Sequence, residues 1–406
     1  MRMYRGLCSL AVIIAAAAAV AMAGADVPQR VILNLTATPA TSMAVTWRTL
    51  EHHDSAAAEF TEATPGPAFA KSARKVGAVT TALAGKKDVV YTQCSVVLSG
   101  LAPQTTYIYR VGHDSVWSEW NQFTTAGAGA DPFSFVFFGD PQDDLLEHVS
   151  RSFREAFRRA GEAKFWVFSG DLTTDPEEKL WEEWFGAAGF IPRVMPMIMV
   201  PGNHDHASIR KANGKKERTK ELPLWRPQFT LPENGVAGLE ETSYYIDYQG
   251  VRFLMLDGND KLKEQAAWVD SVLVDNPSRW TVAVFHQPFY SSGRNRDERD
   301  TRNAFQEVFE RHGVDLALQG HDHTYARSKK LFGGVPVAPD AKGIVYVVSS
   351  CGPKNYVLQP LYNDLMEKMG ENLQLFQVIT VDGGTLKYKA LTVDGVLYDS
   401  FELHKR

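Results

Sequence analysis

Beyond Pro132 the chain repeats one unit, a short run of apolar residues followed by a stretch with helical spacing. The runs occupy 133–138, 165–168, 194–200, 251–256, 280–285, 314–318 and 344–348, and amphipathic stretches at 145–160, 262–274 and 302–312 lie between several of them. Runs that are apolar at every position are strands buried on both faces, and their alternation with helices predicts a layered α/β fold. In open sheets of that kind ligands gather at the carboxyl ends of the strands.

The residues at those ends are unusual. Run 133–138 leads into Gly139-Asp140-Pro141-Gln142, 165–168 into Gly170-Asp171, 194–200 into Gly202-Asn203-His204-Asp205, 280–285 into His286, and 314–318 into Gly320-His321-Asp322-His323. Carboxylates, an amide and imidazoles are hard oxygen and borderline nitrogen donors, suited to first-row divalent or trivalent metals, and no thiolate is present to favour a structural zinc. His321 and His323 alternate along an extended segment and so share a face. A carboxylate using both oxygens can hold two cations about 3.5 to 4 Å apart, which clamps the attacking and leaving oxygens of a displacement at phosphorus. Each residue also has an ordinary use, Asp140 and Asp171 as helix caps, Asn203 in a turn, His286 as a satisfied core histidine. Their joint placement, with glycine directly before Asp140, Asp171, Asn203 and His321, favours a metal site.

Residues 27–125 read differently. Val31, Leu33 and Leu35 alternate with polar neighbours, 43–47 and 107–111 give further strands, and Pro39, Gly66, Gly85 and Pro103 punctuate them, so a small antiparallel sandwich is expected. His52, His53 and His113 read as isolated from carboxylate partners, hence as ordinary loop histidines rather than ligands. Asn34-Leu35-Thr36 fits a glycosylation sequon, and 126–132 has the composition of a linker. The second domain is expected over 131–406. A length of 406 residues agrees with more than one domain, since single cores stop growing at roughly 250 to 300 residues.

Arg2 and Arg5 precede an apolar run at 10–20 that ends in Ala21, Ala23, Gly24 and Ala25, the pattern of a secretory signal over residues 1–25. Cleavage implies a secreted or periplasmic protein with no stable membrane insertion, and it shifts the net charge of −5 to −5 − 2 = −7. An acidic balance gives no footing for nucleic acid, which is not expected as a partner. Cleavage also removes Cys8, leaving Cys94 and Cys351, which read as two buried thiols, with pairing as the alternative.

With these motifs the chain resembles the calcineurin-like metallophosphoesterase superfamily and, within it, the purple acid phosphatases. Gly-Asp, Gly-Asp-x-x, Gly-Asn-His-Asp, a strand-end His and Gly-His-x-His occur in the family's order and approximate spacing. The stretch 320–327, GHDHTYAR, is similar to the family's Gly-His-x-His-x-Tyr-x-Arg. The stretches 27–33 and 40–47 are similar to the opening of the fibronectin-type-III-like domain that precedes the catalytic domain in these phosphatases. The resemblance implies a fibronectin-III-like β sandwich followed by an α/β layered metallophosphoesterase domain. It also implies two metal ions (Fe, Zn or Mn), one held by Asp140, Asp171 and His323, the other by Asp171, Asn203, His286 and His321, with Asp171 as the bridge. His204 would then be catalytic, donating a hydrogen bond to developing charge or a proton to the leaving oxygen, with Asn203 also beside the phosphate.

The chain departs from the family at the first metal's ligands, in two residues, and after His286. The purple enzymes take a tyrosine ligand three residues after the bridging Asp, where this chain has Thr174, so a colourless centre is expected. Gln142, where many superfamily members place a His, offers an amide oxygen to the first metal. After His286, plant-type enzymes carry histidines where this chain has Asn295 and Arg296, preceded by Arg294. Arg294 and Tyr325 are candidates for contacting phosphate, with a solvated loop charge as the alternative for Arg294. The basic run 210–220 reads first as a solvated loop. The expected function is an exported phosphatase that hydrolyses small phosphomonoesters by attack of a metal-bound hydroxide. A phosphodiesterase of the same site is the runner-up. A non-catalytic surface binding protein is disfavoured, because a decayed site should have lost one of the ligands.

Overall fold

The computed structural model describes residues 26–84, 90–211 and 213–405, so the expected signal sequence lies outside the described residues. A ten-stranded sheet runs in the order Leu397–His404, Thr385–Thr392, Leu375–Asp382, Phe133–Phe138, Trp166–Phe168, Met197–Met199, Gln29–Asn34, Ser42–Thr49, Val90–Ser99 and Val79–Ala84. A seven-stranded sheet runs Tyr244–Tyr248, Val251–Met255, Trp280–Val284, Leu316–Gln319, Val345–Val348, Tyr325–Ser328 and Met366–Gly370. The strands at 133, 166 and 197 are parallel in the first sheet, and those at 251, 280, 316 and 345 in the second.

These parallel strands are buried on both faces, as their unbroken apolar runs require. Between the sheets, Phe135 stacks on Phe165 at 5.6 Å and meets Phe253 of the opposite sheet edge-on at 5.1 Å. On the outer face of the first sheet, Phe153 of helix Ser150–Arg159 meets Phe138 edge-on at 5.2 Å. On the outer face of the second, Val269 and Leu273 of helix Leu262–Val274 and Phe305 and Phe309 of helix Arg299–His312 share a core cluster with Leu254 and Phe285. The stretch expected to be helical over 145–160 opens with one wide π-type turn, Leu145–Val149, before the α-helix begins at Ser150. The helix expected from 302 starts at Arg299, where Asp300 lies in the first turn and suits the positive end of the helix dipole.

In the first region the strands Arg74–Gly77, Ala57–Glu62, Thr106–His113, Val116–Trp117 and Asn121–Thr124 form a second, smaller sheet that closes a β sandwich. The sandwich is joined to the α/β layer by hydrogen bonding, because Gln29–Asn34 pairs antiparallel with Ser42–Thr49 on one side and parallel with Met197–Met199 on the other, through Asn34 and Met197. Asn34 seals that join. Its side chain is fully buried, its Nδ2 donates to Met197 O at 2.9 Å, and its Oδ1 accepts from Thr230 N at 3.1 Å. The sequon at Asn34 is therefore closed to glycosylation in the folded chain. Arg30 and Arg48 also cross the join to the Glu178 carboxylate, Arg30 at 2.9 Å, and burial lowers the Arg30 guanidinium to about 10. Cys94 and Cys351 are both buried free thiols.

Candidate metal centre

The carboxyl ends of the parallel strands of both sheets meet at one point. Asp140, Asp171 and Asn203 arrive from the ten-stranded sheet, and His286, His321 and His323 from the seven-stranded sheet. Asp171, His286 and His321 each place a ligand atom within 4.8 Å of the others, and so do Asp140, Asp171 and His323, so Asp171 belongs to both groups. His286 Nε2 lies 3.1 Å from Asp171 Oδ2 and 3.1 Å from His321 Nδ1, and His323 Nε2 lies 3.8 Å from Asp140 Oδ1. Asp140, Asp171, His286 and His323 are buried, and His321 is nearly so.

The outer partners aim these donors inward. His286 Nδ1 donates to Ser169 O at 2.8 Å and His321 Nε2 donates to Glu298 Oε1 at 3.1 Å, which turns His286 Nε2 and His321 Nδ1 toward the shared Asp171. Asn203 Oδ1, Gln142 Oε1 and His323 Nδ1 are buried without a hydrogen-bond partner among the described residues. Converging carboxylates and ring nitrogens beside the orphaned Asn203 oxygen are what cations would satisfy, displacing the His286 proton, and the residues present fit a metal pair. Gln142 turns its amide nitrogen to Asp171 Oδ2 at 2.8 Å and His323 Nε2 at 3.1 Å, so half a turn of the amide would present the oxygen there instead.

The backbone is bent to reach this arrangement. Asp140, Asp171, His321 and His323 all adopt left-handed conformations, with φ of 44°, 52°, 72° and 47°. Such strain persists only where surrounding contacts over-determine it. Two glycines give the carboxylates room, since a Cβ on Gly320 would lie 2.4 Å from Asp140 Oδ2 and one on Gly202 would lie 2.2 Å from Asp171 Oδ1. Asp205 ties two of the loops together, accepting from Leu172 N at 3.0 Å and Gly202 N at 2.8 Å. Asp322 does the same for the segment after His286, accepting from Ser292 N and from Gly293 N, the latter at 3.0 Å.

Charge in the cluster follows from burial and neighbours. Burial, with the nearby Asp171 charge, pushes the Asp140 carboxyl up to about 7. Burial alone would raise Asp171 as well, but the charge and hydrogen bond of His286 hold it well below the usual carboxylate range. Burial disfavours the His286 cation too, yet the carboxylates of Asp171 and Asp140 outweigh it and push His286 up to about 9. His321 is lowered to about 4 and His323 to about 2, mainly by burial, so both rings are neutral donors.

Around the cluster, beside the expected catalytic His204, lie residues that the sequence does not single out for the site. His204 N donates to Asp171 Oδ1 at 2.7 Å, and His204 Nδ1 sits 2.7 Å from Thr174 O and 2.6 Å from an Arg218 nitrogen. Arg218 comes from the basic run expected to be a solvated loop. That run folds instead as a hairpin, Ser208–Arg210 with Lys216–Arg218, and turns Arg218 inward onto His204 and Asp175. Glu298 orients His321, and Tyr356 stands edge-on to His323 at 5.0 Å with the Arg296 guanidinium 4.9 Å over its ring. Lys354 is 3.8 Å from Asp143, whose carboxylate accepts the Thr174 hydroxyl at 2.5 Å. No local motif marks Arg218, Glu298 or Lys354, which lie in charged stretches indistinguishable from solvated surface. Two sequence candidates fall outside. Arg294 is exposed, and it is Arg296 whose charge is felt at Asp140 and His321. Tyr325 is buried in the core with its hydroxyl donating to Asp399 at 2.7 Å and 3.2 Å from the Tyr388 hydroxyl, so it does not face substrate.

Comparison with known proteins agrees with this geometry. Residues 28–125 match the purple acid phosphatase N-terminal domain, and residues 133–325 match the calcineurin-like phosphoesterase family. Purple acid phosphatase 15 of Arabidopsis thaliana is 25% identical over 295 residues, 64% of this chain and 52% of that protein, so the chain spans about half the length of that relative. Acid phosphatase type 7 of Danio rerio is 26% identical over 350 residues, covering 76% of this chain and 74% of that one. The structure of purple acid phosphatase PPD1 from yellow lupin seeds superposes with a TM-score of 0.78 over 93% of this chain and 74% of that chain, at 18% identity, which shows a shared fold. With both family matches in order along the chain, the protein belongs to the calcineurin-like phosphoesterases and carries ahead of that domain the N-terminal domain of the purple acid phosphatases.

Proposed function

We propose that the protein is an exported, metal-dependent phosphatase that hydrolyses small phosphomonoesters. The observation that carries this reading is the pair of ligand clusters sharing one carboxylate, Asp171. One metal would be held by Asp140, Asp171 and His323 with Gln142 completing its shell, the other by Asp171, Asn203, His286 and His321. Two such cations supply Lewis acidity at a phosphoryl oxygen and lower the pKa of bound water.

The chain's own groups do the rest. Burial lowers the pKa of His204; at Nδ1 the Thr174 carbonyl can only accept and Arg218 can only donate, and in the tautomer we propose Arg218 donates both to Thr174 O and to Nδ1, which leaves the proton on Nε2. That proton is then available to a leaving oxygen. Arg218, Lys354 and Arg296 ring the site with positive charge, which favours the dianion of a monoester over the single charge of a diester. Export rests on the signal pattern at residues 1–25. Among the described residues no helix is long and apolar enough to cross a membrane.

The test is Asp171→Ala, assayed for metal content and for hydrolysis of p-nitrophenyl phosphate against its bis ester. Removing the shared carboxylate should weaken both metals and abolish turnover on both substrates, while the parent protein should favour the monoester. Two metals per chain with near-native turnover in the variant would refute the site, and a diester preference in the parent would reassign the substrate. Amino-terminal sequencing of protein recovered outside the producing cells should begin near Asp26, and an uncleaved, cell-retained chain would rule out export.

A further inference from the structure

One stretch of chain, residues 351–359, runs along the rim of the metal centre and is bonded to the loops on both sides of it. Cys351 N donates to Gly139 O at 2.7 Å and Gly352 N to Asp140 O at 3.1 Å. Further along, Tyr356 N donates to His323 O at 3.2 Å, Arg294 N to Val357 O at 2.8 Å and Gln359 N to Ser292 O at 2.9 Å. The Gln359 side-chain amide also donates to Arg296 O at 2.7 Å. The rim therefore holds a fixed place relative to Asp140, to His323 and to the loop that carries Arg296.

Three half-buried side chains of this wall stand together. Tyr356 meets His323 edge-on, the Arg296 guanidinium lies 4.9 Å over the Tyr356 ring with Nη2 3.4 Å from its hydroxyl, and Lys354 Nζ lies 5.8 Å from the ring centroid. The ring face fixes the guanidinium without neutralising it. Lys354 is loosely held, since Asp143 at 3.8 Å is too far for a hydrogen bond. An ammonium carries three donors and a guanidinium five, so these contacts leave both groups able to take an anion. Their charge reaches into the centre, where Lys354 helps to lower His204 and His323, and Arg296 helps to lower His321. The transferred phosphoryl group already has the two metals, Asn203 and His204 to hold it. Lys354 bears on His204, the residue assigned to the leaving oxygen, so what it would meet is the leaving group.

Resting on the phosphatase reading above, we infer that Lys354, Tyr356 and Arg296 form a second anion subsite, and that the preferred substrates are phosphomonoesters whose leaving group carries another phosphate or carboxylate. The fork of Arg296 matches either anion in a bidentate way, and Lys354 adds a point charge.

The test uses three substrates on one carbon skeleton, glycerol 3-phosphate, 3-phosphoglycerate and 2,3-bisphosphoglycerate, with initial phosphate release measured on the metal-loaded full chain at fixed ionic strength. For the parent, kcat/KM should be at least about 10-fold higher with the bisphosphate than with glycerol 3-phosphate, and the gain should lie in KM. A gain with the bisphosphate alone supports the subsite for phosphate, and a gain with 3-phosphoglycerate as well supports it for both anions. Lys354→Met should lose part of the preference, and Lys354→Met combined with Arg296→Gln should lose it altogether, with metal content at the parent value. A parent without the preference, or a double variant that keeps it, would overturn the subsite and leave the phosphatase reading standing. Hydrolysis of none of the three would refute the phosphatase reading and the subsite with it.

Discussion

Thr174 and Arg218 meet at His204, and between them they set what that ring can do. The Thr174 carbonyl and an Arg218 nitrogen both approach Nδ1, at 2.7 and 2.6 Å. Replacing Arg218 with leucine frees Nδ1 to carry the proton and donate to Thr174 O, which leaves Nε2 as an acceptor unable to protonate a leaving group. Turnover of alkyl phosphates should fall by on the order of 100-fold, p-nitrophenyl phosphate should suffer less, and metal content should stay at the parent value. Equal losses on both substrates would assign Arg218 to phosphate binding instead. The Thr174 side chain makes a second difference. Its hydroxyl donates to Asp143, and Tyr325 is held by Asp399 and Tyr388 with its pKa raised well above 10 by burial, so neither gives a phenolate to iron. The iron-loaded protein should therefore lack a strong visible band, measured by absorption spectroscopy. A band that disappears in Tyr356→Phe, the tyrosine standing against His323, would show that another phenolate has taken the role.

At the scale of single elements, the tight turns after the strands do the positioning, and glycine is what lets them close. Gly320→Ala would set a methyl group 2.4 Å from Asp140 Oδ2, in a turn whose next residue, His321, donates its N–H to both Asp140 oxygens at 2.9 and 2.8 Å. The turn must shift, and the expected outcome is loss of metal and of activity in a protein whose far-ultraviolet circular dichroism is unchanged. The meeting of these turns at one point was legible in the sequence because four of the five carry a candidate ligand, a glycine and an apolar run within a few consecutive residues. Arg218 and Glu298 were not, because what makes them part of the site is a partner 14 or 23 residues away. The His53 and His113 pair, each bound to Asp26 at separations of 27 and 87 residues, is the same failure at longer range. The sequence does not separate Arg294 from Arg296, because nothing in a loop of this kind says which side chain turns inward. The helix Leu262–Val274, by contrast, ends where its apolar spacing ends.

For the whole molecule the first region and the α/β layer share one sheet and one core, with Val31 and Trp47 in the same buried cluster as Phe168 and Trp184. The sequence shows a compositional break near 126–132 but not that Gln29–Asn34 completes the neighbouring sheet, since strand partners are not written locally. Glu178 is the charged group that both Arg30 and Arg48 reach across the join. Glu178→Ala leaves two nearly buried guanidinium groups unpaired and should lower stability by about 3 kcal/mol, the cost of breaking a buried pair, seen as a lower midpoint in urea. The parent should unfold in one transition. Two separated transitions would mean that the regions fold independently despite the shared strands.

The oxygen donors proposed for the centre, Asp140, Gln142, Asp171 and Asn203, all follow strands of the ten-stranded sheet, and the proposed nitrogen donors, His286, His321 and His323, all follow strands of the seven-stranded one. Each sheet alone therefore presents only half of a coordination shell, hard on one side and borderline on the other. An ion held at the seam would act as a rivet between two plates. Chelation should then loosen the whole sandwich, and hydrogen exchange in Phe133–Phe138 and Leu316–Gln319 should quicken together when the metal is withdrawn.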